Sequence, residues 1–133
     1  MSSKKILIKN GTVVHSDRVE VTDVLIEGQV IERIENNISA SADREIDAAN
    51  KLVLPGGIDS HCHIEQRSAS GLVNSDTFLS GTTAAALGGN TTVIPFAAQY
   101  EGDSLTNIVQ EYHDLAENNA VVDYSMHMII AGP

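Results

Sequence analysis

The sequence predicts an α/β fold whose character changes near residue 55. Before that point, short apolar strands alternate with turn residues, a pattern typical of an antiparallel meander. After it, β-branched apolar runs alternate with segments of helical periodicity, as in right-handed βαβ units of a parallel sheet. We therefore expect part of a small β-sandwich over residues 1–54 and the first strands and helices of an α/β domain over residues 55–133.

Three candidate turns divide the first segment. Asn10-Gly11, between two apolar runs, predicts a tight hairpin. Glu27-Gly28-Gln29 predicts a second hairpin, because Gly28 can take a positive φ without steric cost. Ala49-Asn50-Lys51 is the third candidate turn. The segment should thus form a sheet of short, closely connected strands.

Strands and helices alternate in the second segment. Asp76 is expected to cap a helix over residues 77–87, because its carboxylate can accept from free amides of the first turn, and Gly88-Gly89 should end that helix. A β-branched strand follows at 91–94. Apolar residues spaced by three and four from 105 to 115 predict a second helix after Ser104, and residues 121–130 predict the next strand. With the strand that leads to His61, this makes three strands and two helices.

Composition and charge exclude several classes of protein. The chain has 133 residues, 42% of them hydrophobic, and a formal net charge of −10, which argues against a nucleic-acid partner. A single cysteine excludes an internal disulfide framework. The N-terminal residues do not resemble a signal peptide, and no apolar stretch approaches the ~20 residues of a membrane span. We expect a cytoplasmic protein without a membrane or nucleic-acid partner.

The run from Pro55 to Ile64 carries the main functional signal. It ends with His61 and His63 at positions i and i+2, which on a strand lie on one face about 7 Å apart at Cα. Imidazoles at that spacing can bind one divalent cation such as zinc. Cys62 then points to the opposite face as a small buried hydrophobe. A bare pair would usually be solvated or structural, but the Pro-Gly-Gly-Ile-Asp sequence before it favours a metal site.

Four other residues have side chains of the types found near metal sites. Asp59 shares the strand face of the pair and could orient a ligand histidine by accepting its second ring proton, although bonding to backbone groups is slightly favoured. His127, in the last predicted strand, is interpreted as a hydrogen-bonded structural histidine. His15 and His113 are expected to be exposed, in a turn and on a helix respectively.

Longer motifs resemble a known family. Residues 52–64 are similar to the first barrel strand of the amidohydrolase superfamily, and His63-Ile64-Glu65, 78–82, 84–94 and 123–128 are similar to the dihydropyrimidinase and hydantoinase branch of the cyclic amidohydrolases. The resemblance runs from residue 6 to residue 130. It implies a metal-dependent (β/α)8 TIM barrel beside a β-sandwich domain. Because such a barrel takes ~250 residues, the sequence reads as an N-terminal fragment of a longer enzyme.

The resemblance also implies a mechanism and a metal centre. It assigns His61 and His63 to one metal of a binuclear centre, most often zinc, which is completed by a carboxylated lysine, two histidines and an aspartate from later strands. A metal-activated hydroxide would attack a ring amide carbon of a cyclic amide or ureide. None of the later ligands lies in this sequence, so the fragment alone is expected to be inactive. The full-length enzyme is expected to be a homo-oligomer, a tetramer or a dimer.

Glu65, Gln66 and Arg67 begin a loop that the resemblance assigns to the pocket for the substituent on the substrate ring. Dihydroorotase-like and allantoinase-like sequences tend to carry arginine at the position of Glu65. An acidic residue there favours uncharged rings, such as dihydropyrimidines and 5-substituted hydantoins, unless Arg67 replaces the missing arginine. Two alternatives stay open: another cyclic amidohydrolase, such as an allantoinase or a dihydroorotase, and a non-catalytic scaffold protein related to the dihydropyrimidinases. The intact histidine pair favours an enzyme.

Overall fold

The computed structural model describes residues 4–131, and the chain divides into two compact units between Pro55 and Gly56. The division lies beside the boundary that was expected after Leu54. Each unit contains its own sheet and its own buried apolar cluster. Within the described residues, no helix is both long enough and apolar enough to cross a bilayer.

The described part of the first unit forms a five-stranded sheet. Three strands make an antiparallel meander in the order β3-β2-β1, and two further strands lie parallel to β1 along its other edge. Leu7, Leu25 and Ile38 form its buried cluster. The strands are β1 (Lys5–Val14), β2 (Val19–Glu27), β3 (Val30–Glu35), β4 (Arg44–Asp47) and β5 (Leu52–Val53).

The hairpin predicted at Asn10-Gly11 is wrong. β1 continues through both residues, and the chain reverses later, where His15 N–H donates to Arg18 O at 2.8 Å. Asn10 has φ 61° in a bulge, and its N–H donates to the buried carboxylate of Asp23 at 2.9 Å. A Cβ on Gly11 would lie 2.5 Å from Val53 Cγ2. The pair therefore serves a bulge and a close strand contact instead of a reversal.

The other two predicted turns are present. Gly28 has φ 62° and connects the antiparallel strands β2 and β3, so the second hairpin is confirmed. Asn50 has φ 62°, and Lys51 N–H donates to Ala48 O at 2.9 Å, which confirms a turn there. The strands on either side of that turn do not form a hairpin with each other, because both β4 and β5 lie parallel to β1.

The second unit alternates strands and helices, as predicted, and all its named strand pairs are parallel. β7 lies in the middle, with β6 on one side and β8 and β9 on the other. The predicted strand over residues 121–130 is split into two short strands that keep one register, Val93 with Tyr124 and Phe96 with His127. The elements are β6 (Gly57–Cys62), α1 (Phe78–Leu87), β7 (Asn90–Ala98), α2 (Leu105–Ala116), β8 (Asp123–Tyr124) and β9 (His127–Ile129).

Packing of the helices on the sheet follows the apolar periodicity. Ile108 and Tyr112 of α2 are buried with Phe78 of α1 and Val93 of β7 in one cluster. Burial raises the pKa of Tyr112 to about 12, and the nearby carboxylate of Glu111 adds to the shift. The spacing of three and four therefore identified the buried face of α2 correctly.

The start of α1 differs from the prediction by one residue. Thr77, not Asp76, is the N-cap: Ser80 N–H donates to Thr77 Oγ1 at 3.2 Å, and Thr77 N–H donates to Ser80 Oγ at 3.0 Å. This reciprocal capping box satisfies two amides at once. Asp76 instead accepts from the Ser80 hydroxyl at 2.9 Å. At the other end, Gly89 has φ 90°, which agrees with the predicted glycine stop.

Candidate metal-binding site

The histidine pair lies at the carboxyl end of β6. His61 is in the strand, His63 follows it directly, and both are exposed. Their ring centroids are 5.6 Å apart and their planes are inclined by 71°. The fold thus places two imidazoles side by side at a strand end, where solvent can reach both.

This spacing fits a shared metal ion. Zinc binds imidazole nitrogen at ~2.0–2.1 Å, so two rings on one tetrahedral ion have centroids about 5 Å apart. The observed separation is 5.6 Å. Within residues 4–131, no group of three or more histidine, cysteine, aspartate or glutamate side chains converges on one point. The described part of the chain therefore offers two protein ligands.

Phe96 of β7 packs against the rings of both histidines. Its ring centroid lies 4.6 Å from that of His61 and 5.3 Å from that of His63. The ring of His127 in β9 also lies near Phe96, with centroids 5.0 Å apart. His127 Nε2 is 3.1 Å from Ser60 O, so the imidazole can donate to the carbonyl that precedes His61. This hydrogen bond links β9 to β6 across β7, which agrees with the interpretation of His127 as a structural histidine.

Asp59 and Cys62 support the strand and not the metal pocket. Asp59 Oδ1 accepts from the backbone N–H of His61 at 3.1 Å, the backbone-bonding role considered for it above. Cys62 is half-buried and packs against the apolar cluster between the sheet and the helices. Burial raises the pKa of the Cys62 thiol, and the charge of Asp59 adds to that shift.

Glu65 has a role that sequence reasoning missed. Its Oε2 accepts from Phe78 N–H, the first amide of α1, at 2.7 Å, and its own N–H donates to Asp76 O at 3.0 Å. A carboxylate is stabilised at a helix N-terminus by the free amides and the helix dipole. Glu65 therefore ties the end of the metal-binding strand to the start of α1. Its position thirteen residues before Phe78 left no local sequence signal for this contact.

The chain between these two points forms a closed loop, residues 66–76. Arg67 and Val73 form an antiparallel bridge, and Asn74 N–H donates to Gln66 O at 3.2 Å. On the returning side of the loop, Leu72 and Val73 are 73% and 56% exposed. The loop is thus hydrogen-bonded internally while it presents apolar side chains to solvent.

Arg67 attaches this loop to the segment after β7. Its carbonyl accepts from the hydroxyl of Tyr100, and its guanidinium lies 5.8 Å from the centroid of the same ring. Nη2 is also 3.6 Å from Asp103 Oδ2. In this arrangement the guanidinium is engaged by Tyr100 and Asp103.

Gln66 lies between Glu65 and Arg67 and reaches back to the histidine pair. Its Oε1 is within hydrogen-bond distance of Nδ1 of His63. The side chain is half-buried. Gln66 had been assigned only to the substrate loop, and its position three residues after His63 was the available signal for this contact.

The two remaining histidines differ from each other. His15 was expected to be exposed, and that prediction is wrong. Its side chain is only 16% exposed, and its Nε2 lies 2.9 Å from Glu20 Oε1 on the neighbouring strand. His113 is exposed on α2, as expected, with Nδ1 3.3 Å from the Tyr124 hydroxyl. The partners named here for His15 and His113 are Glu20 and Tyr124, and neither partner belongs to the candidate metal pair.

Comparison with known proteins identifies the family. No family model matches the chain. A D-hydantoinase from Geobacillus stearothermophilus is 41% identical over 125 residues, 94% of this chain and 26% of the relative. A dihydropyrimidinase from Dictyostelium discoideum is 43% identical over 126 residues, 94% and 25% respectively. The crystal structure of dihydropyrimidinase from Brevibacillus agri superposes with a TM-score of 0.90 at 38% identity, covering 97% of this chain and 28% of that one.

The chain belongs to the hydantoinase and dihydropyrimidinase branch. It matches an N-terminal segment of this branch and spans about a quarter of the length of the curated relatives. The predicted α/β fold is confirmed by the superposition of the chain on solved structures of hydantoinases.

Proposed function

We propose that this chain supplies the first metal-binding strand of a metal-dependent cyclic amidohydrolase, which opens dihydropyrimidines and 5-substituted hydantoins. The observation that carries the proposal is the separation of 5.6 Å between the exposed rings of His61 and His63 at the end of β6. Relatives named D-hydantoinase and dihydropyrimidinase support the class of substrate. The remaining metal ligands would come from later strands of the full-length enzyme, which are not part of this sequence.

Three of the described residues have a defined task in this proposal. His61 and His63 would hold the metal through ring nitrogens, in a binuclear zinc centre completed by a lysine, two histidines and an aspartate. A bound metal supplies a Lewis acid and lowers the pKa of water enough to make a nucleophile at neutral pH. Phe96 restricts the two rings from one side, which leaves their exposed side for solvent and substrate.

The charges near the pair support an uncharged substrate ring. Position 65 carries a carboxylate, and that carboxylate is bonded to Phe78 N–H. Arg67, the cation that could replace an arginine at position 65, is engaged by Asp103 and Tyr100. A substrate carboxylate would therefore have to compete for a guanidinium that already has partners. Cyclic ureides without a carboxylate meet no such requirement.

The 133-residue chain by itself is proposed to be inactive. Its described residues offer two histidine ligands at this site, whereas a stable zinc site takes four protein ligands, or three protein ligands and a bound water. Apolar side chains such as Leu87 and Val30 are 87% and 66% exposed. We expect weak zinc binding and association between chains when it is produced alone. The homo-oligomeric state of the full-length enzyme stays a prediction.

A paired metal and activity measurement tests the proposal. The full-length protein is expected to contain two divalent metals per subunit and to hydrolyse dihydrouracil and hydantoin. His61→Ala and His63→Ala should each lose metal and most of the hydrolysis. His113→Ala is the matched control, because His113 is exposed on α2 away from the pair. Unchanged metal content and turnover in both site variants would overturn the assignment of His61 and His63.

A further inference from the structure

One contact at the site that has no assigned role joins Gln66 to His63. The amide oxygen of Gln66 lies within hydrogen-bond distance of Nδ1 of the imidazole. Phe96 stacks on the same ring from another direction, with planes inclined by 18°. The orientation of His63 is therefore defined by one polar and one apolar neighbour. We propose that Gln66 is a positioning residue that holds His63 ready to bind metal through Nε2.

The chemistry of the two groups decides which ring nitrogen is free. An amide oxygen can only accept a hydrogen bond, so Nδ1 of His63 must carry the proton in this contact. In a neutral imidazole the other nitrogen, Nε2, then keeps its lone pair. That lone pair is the one a metal needs. Partners of this kind fix both the tautomer and the direction of a ligand histidine.

Gln66 can act in this way because the residues on both sides of it are fixed. Before it, Glu65 is bonded to Phe78 N–H at 2.7 Å and to Asp76 O at 3.0 Å. After it, Arg67 is held by the Tyr100 hydroxyl and by Asp103. The backbone of Gln66 thus has little freedom, and the side chain starts from a defined point. A supporting group preorganised in this manner orients a ligand without ordering a mobile loop on binding.

Asp59 is less suited to this task, which the sequence left open for it beside the slightly favoured backbone role. Its Oδ1 accepts from the backbone N–H of His61 and so stabilises the strand end. Gln66, by contrast, contacts an imidazole ring. The residue that orients a ligand ring in this chain is therefore on the loop and not on the strand.

Two substitutions separate the acceptor from the bulk of the side chain. Gln66→Met keeps the length of the side chain and removes the oxygen, whereas Gln66→Glu keeps an acceptor at the same reach. This inference rests on the proposed function. We expect the full-length apoprotein with Gln66→Met to bind Zn²⁺ about 10- to 100-fold more weakly, the usual cost of losing such a partner. Gln66→Glu should remain close to the unsubstituted protein.

Competition with a chromophoric chelator measures the Zn²⁺ affinities, and thermal unfolding of the apoproteins checks that the fold is intact. The inference stands if Gln66→Met loses at least about fivefold in affinity while Gln66→Glu lies closer to the unsubstituted protein than to Gln66→Met. Any other result overturns it. His63→Ala is measured in parallel. If His63→Ala keeps its zinc, the proposed function fails; if it loses zinc and Gln66→Met does not, only the role of Gln66 fails.

Discussion

The ring of Phe96 lies nearly parallel to the ring of His63, with centroids 5.3 Å apart and planes inclined by 18°. The same ring contacts His61 at 4.6 Å and His127 at 5.0 Å. One phenylalanine from β7 therefore touches side chains from the ends of both neighbouring strands. Phe96 is therefore the common packing partner of the candidate ligands. Through it, the orientation of both imidazoles depends on the position of β7 in the sheet.

Replacing Phe96 by leucine should loosen both imidazoles. Leucine keeps apolar contact but removes the flat surface, so we expect weaker Zn²⁺ binding in the full-length protein and a loss of about 1 kcal/mol in the free energy of unfolding. Chelator competition and urea unfolding measure the two effects. Phe96→Tyr keeps the ring and is the control. Equal zinc affinity in the leucine and tyrosine variants would show that the stacking does not matter.

Removing the carboxylate of Glu65 should destabilise the start of α1. Glu65→Ala leaves the half-buried N–H of Phe78 without its acceptor, which costs about 1 kcal/mol for groups that cap helices. Urea unfolding measures the change, and Glu65→Gln, which retains an acceptor oxygen, should lose less. If Glu65→Ala instead altered KM for substrate without a change in stability, the carboxylate would act in the pocket, as the loop assignment first implied.

The substrate preference follows from the partners of the charged groups. We expect the full-length enzyme to have a higher kcat/KM for dihydrouracil than for dihydroorotate, since position 65 has no arginine and Arg67 is paired with Asp103. Steady-state kinetics with the two compounds test this. Arg67→Ala should leave kcat/KM for either compound nearly unchanged. Faster turnover of dihydroorotate, lost in Arg67→Ala, would mean that this guanidinium leaves Asp103 to bind substrate.

Alkaline pH should weaken the packing of α2 through Tyr112. Burial raises the pKa of its phenol to about 12, whereas an unfolded tyrosine titrates near ~10. Above about pH 10 the unfolded state therefore binds fewer protons than the folded state, so stability falls as the pH rises towards 12. Urea unfolding at pH 8 and pH 11 should show a smaller decrease for Tyr112→Phe than for the unsubstituted protein. Equal decreases would contradict the role of Tyr112.

Local patterns predicted the elements, and long-range contacts decided what the patterns missed. The stripe containing Ile108 and Tyr112 and the turn at Gly28 depend on neighbouring residues, so periodicity and glycine chemistry sufficed. Asn10-Gly11 carried an equally strong local signal, but the carboxylate of Asp23 and the side chain of Val53 set its conformation. Only the folded chain brings those groups together.

The candidate site shows the same division. The spacing of His61 and His63 was readable from strand geometry, because alternate side chains share a face. The partners of Glu65 and Arg67 were not, since they lie thirteen and thirty-three residues away along the chain. The position of Gln66 three residues after His63 was a local signal for their contact, but the direction of the side chain depends on those distant partners.

The closed base of loop 66–76 makes it an exchangeable insert. Glu65 and Asp76 are joined by a backbone hydrogen bond of 3.0 Å, and Glu65 also holds the first amide of α1. Residues 68–74 can then change in length without moving β6 or α1, because the entropy of loop closure rises only slowly with length. Grafting other sequences there while keeping Gln66 and Arg67 would therefore test the proposed substrate role of the loop separately from the proposed metal site.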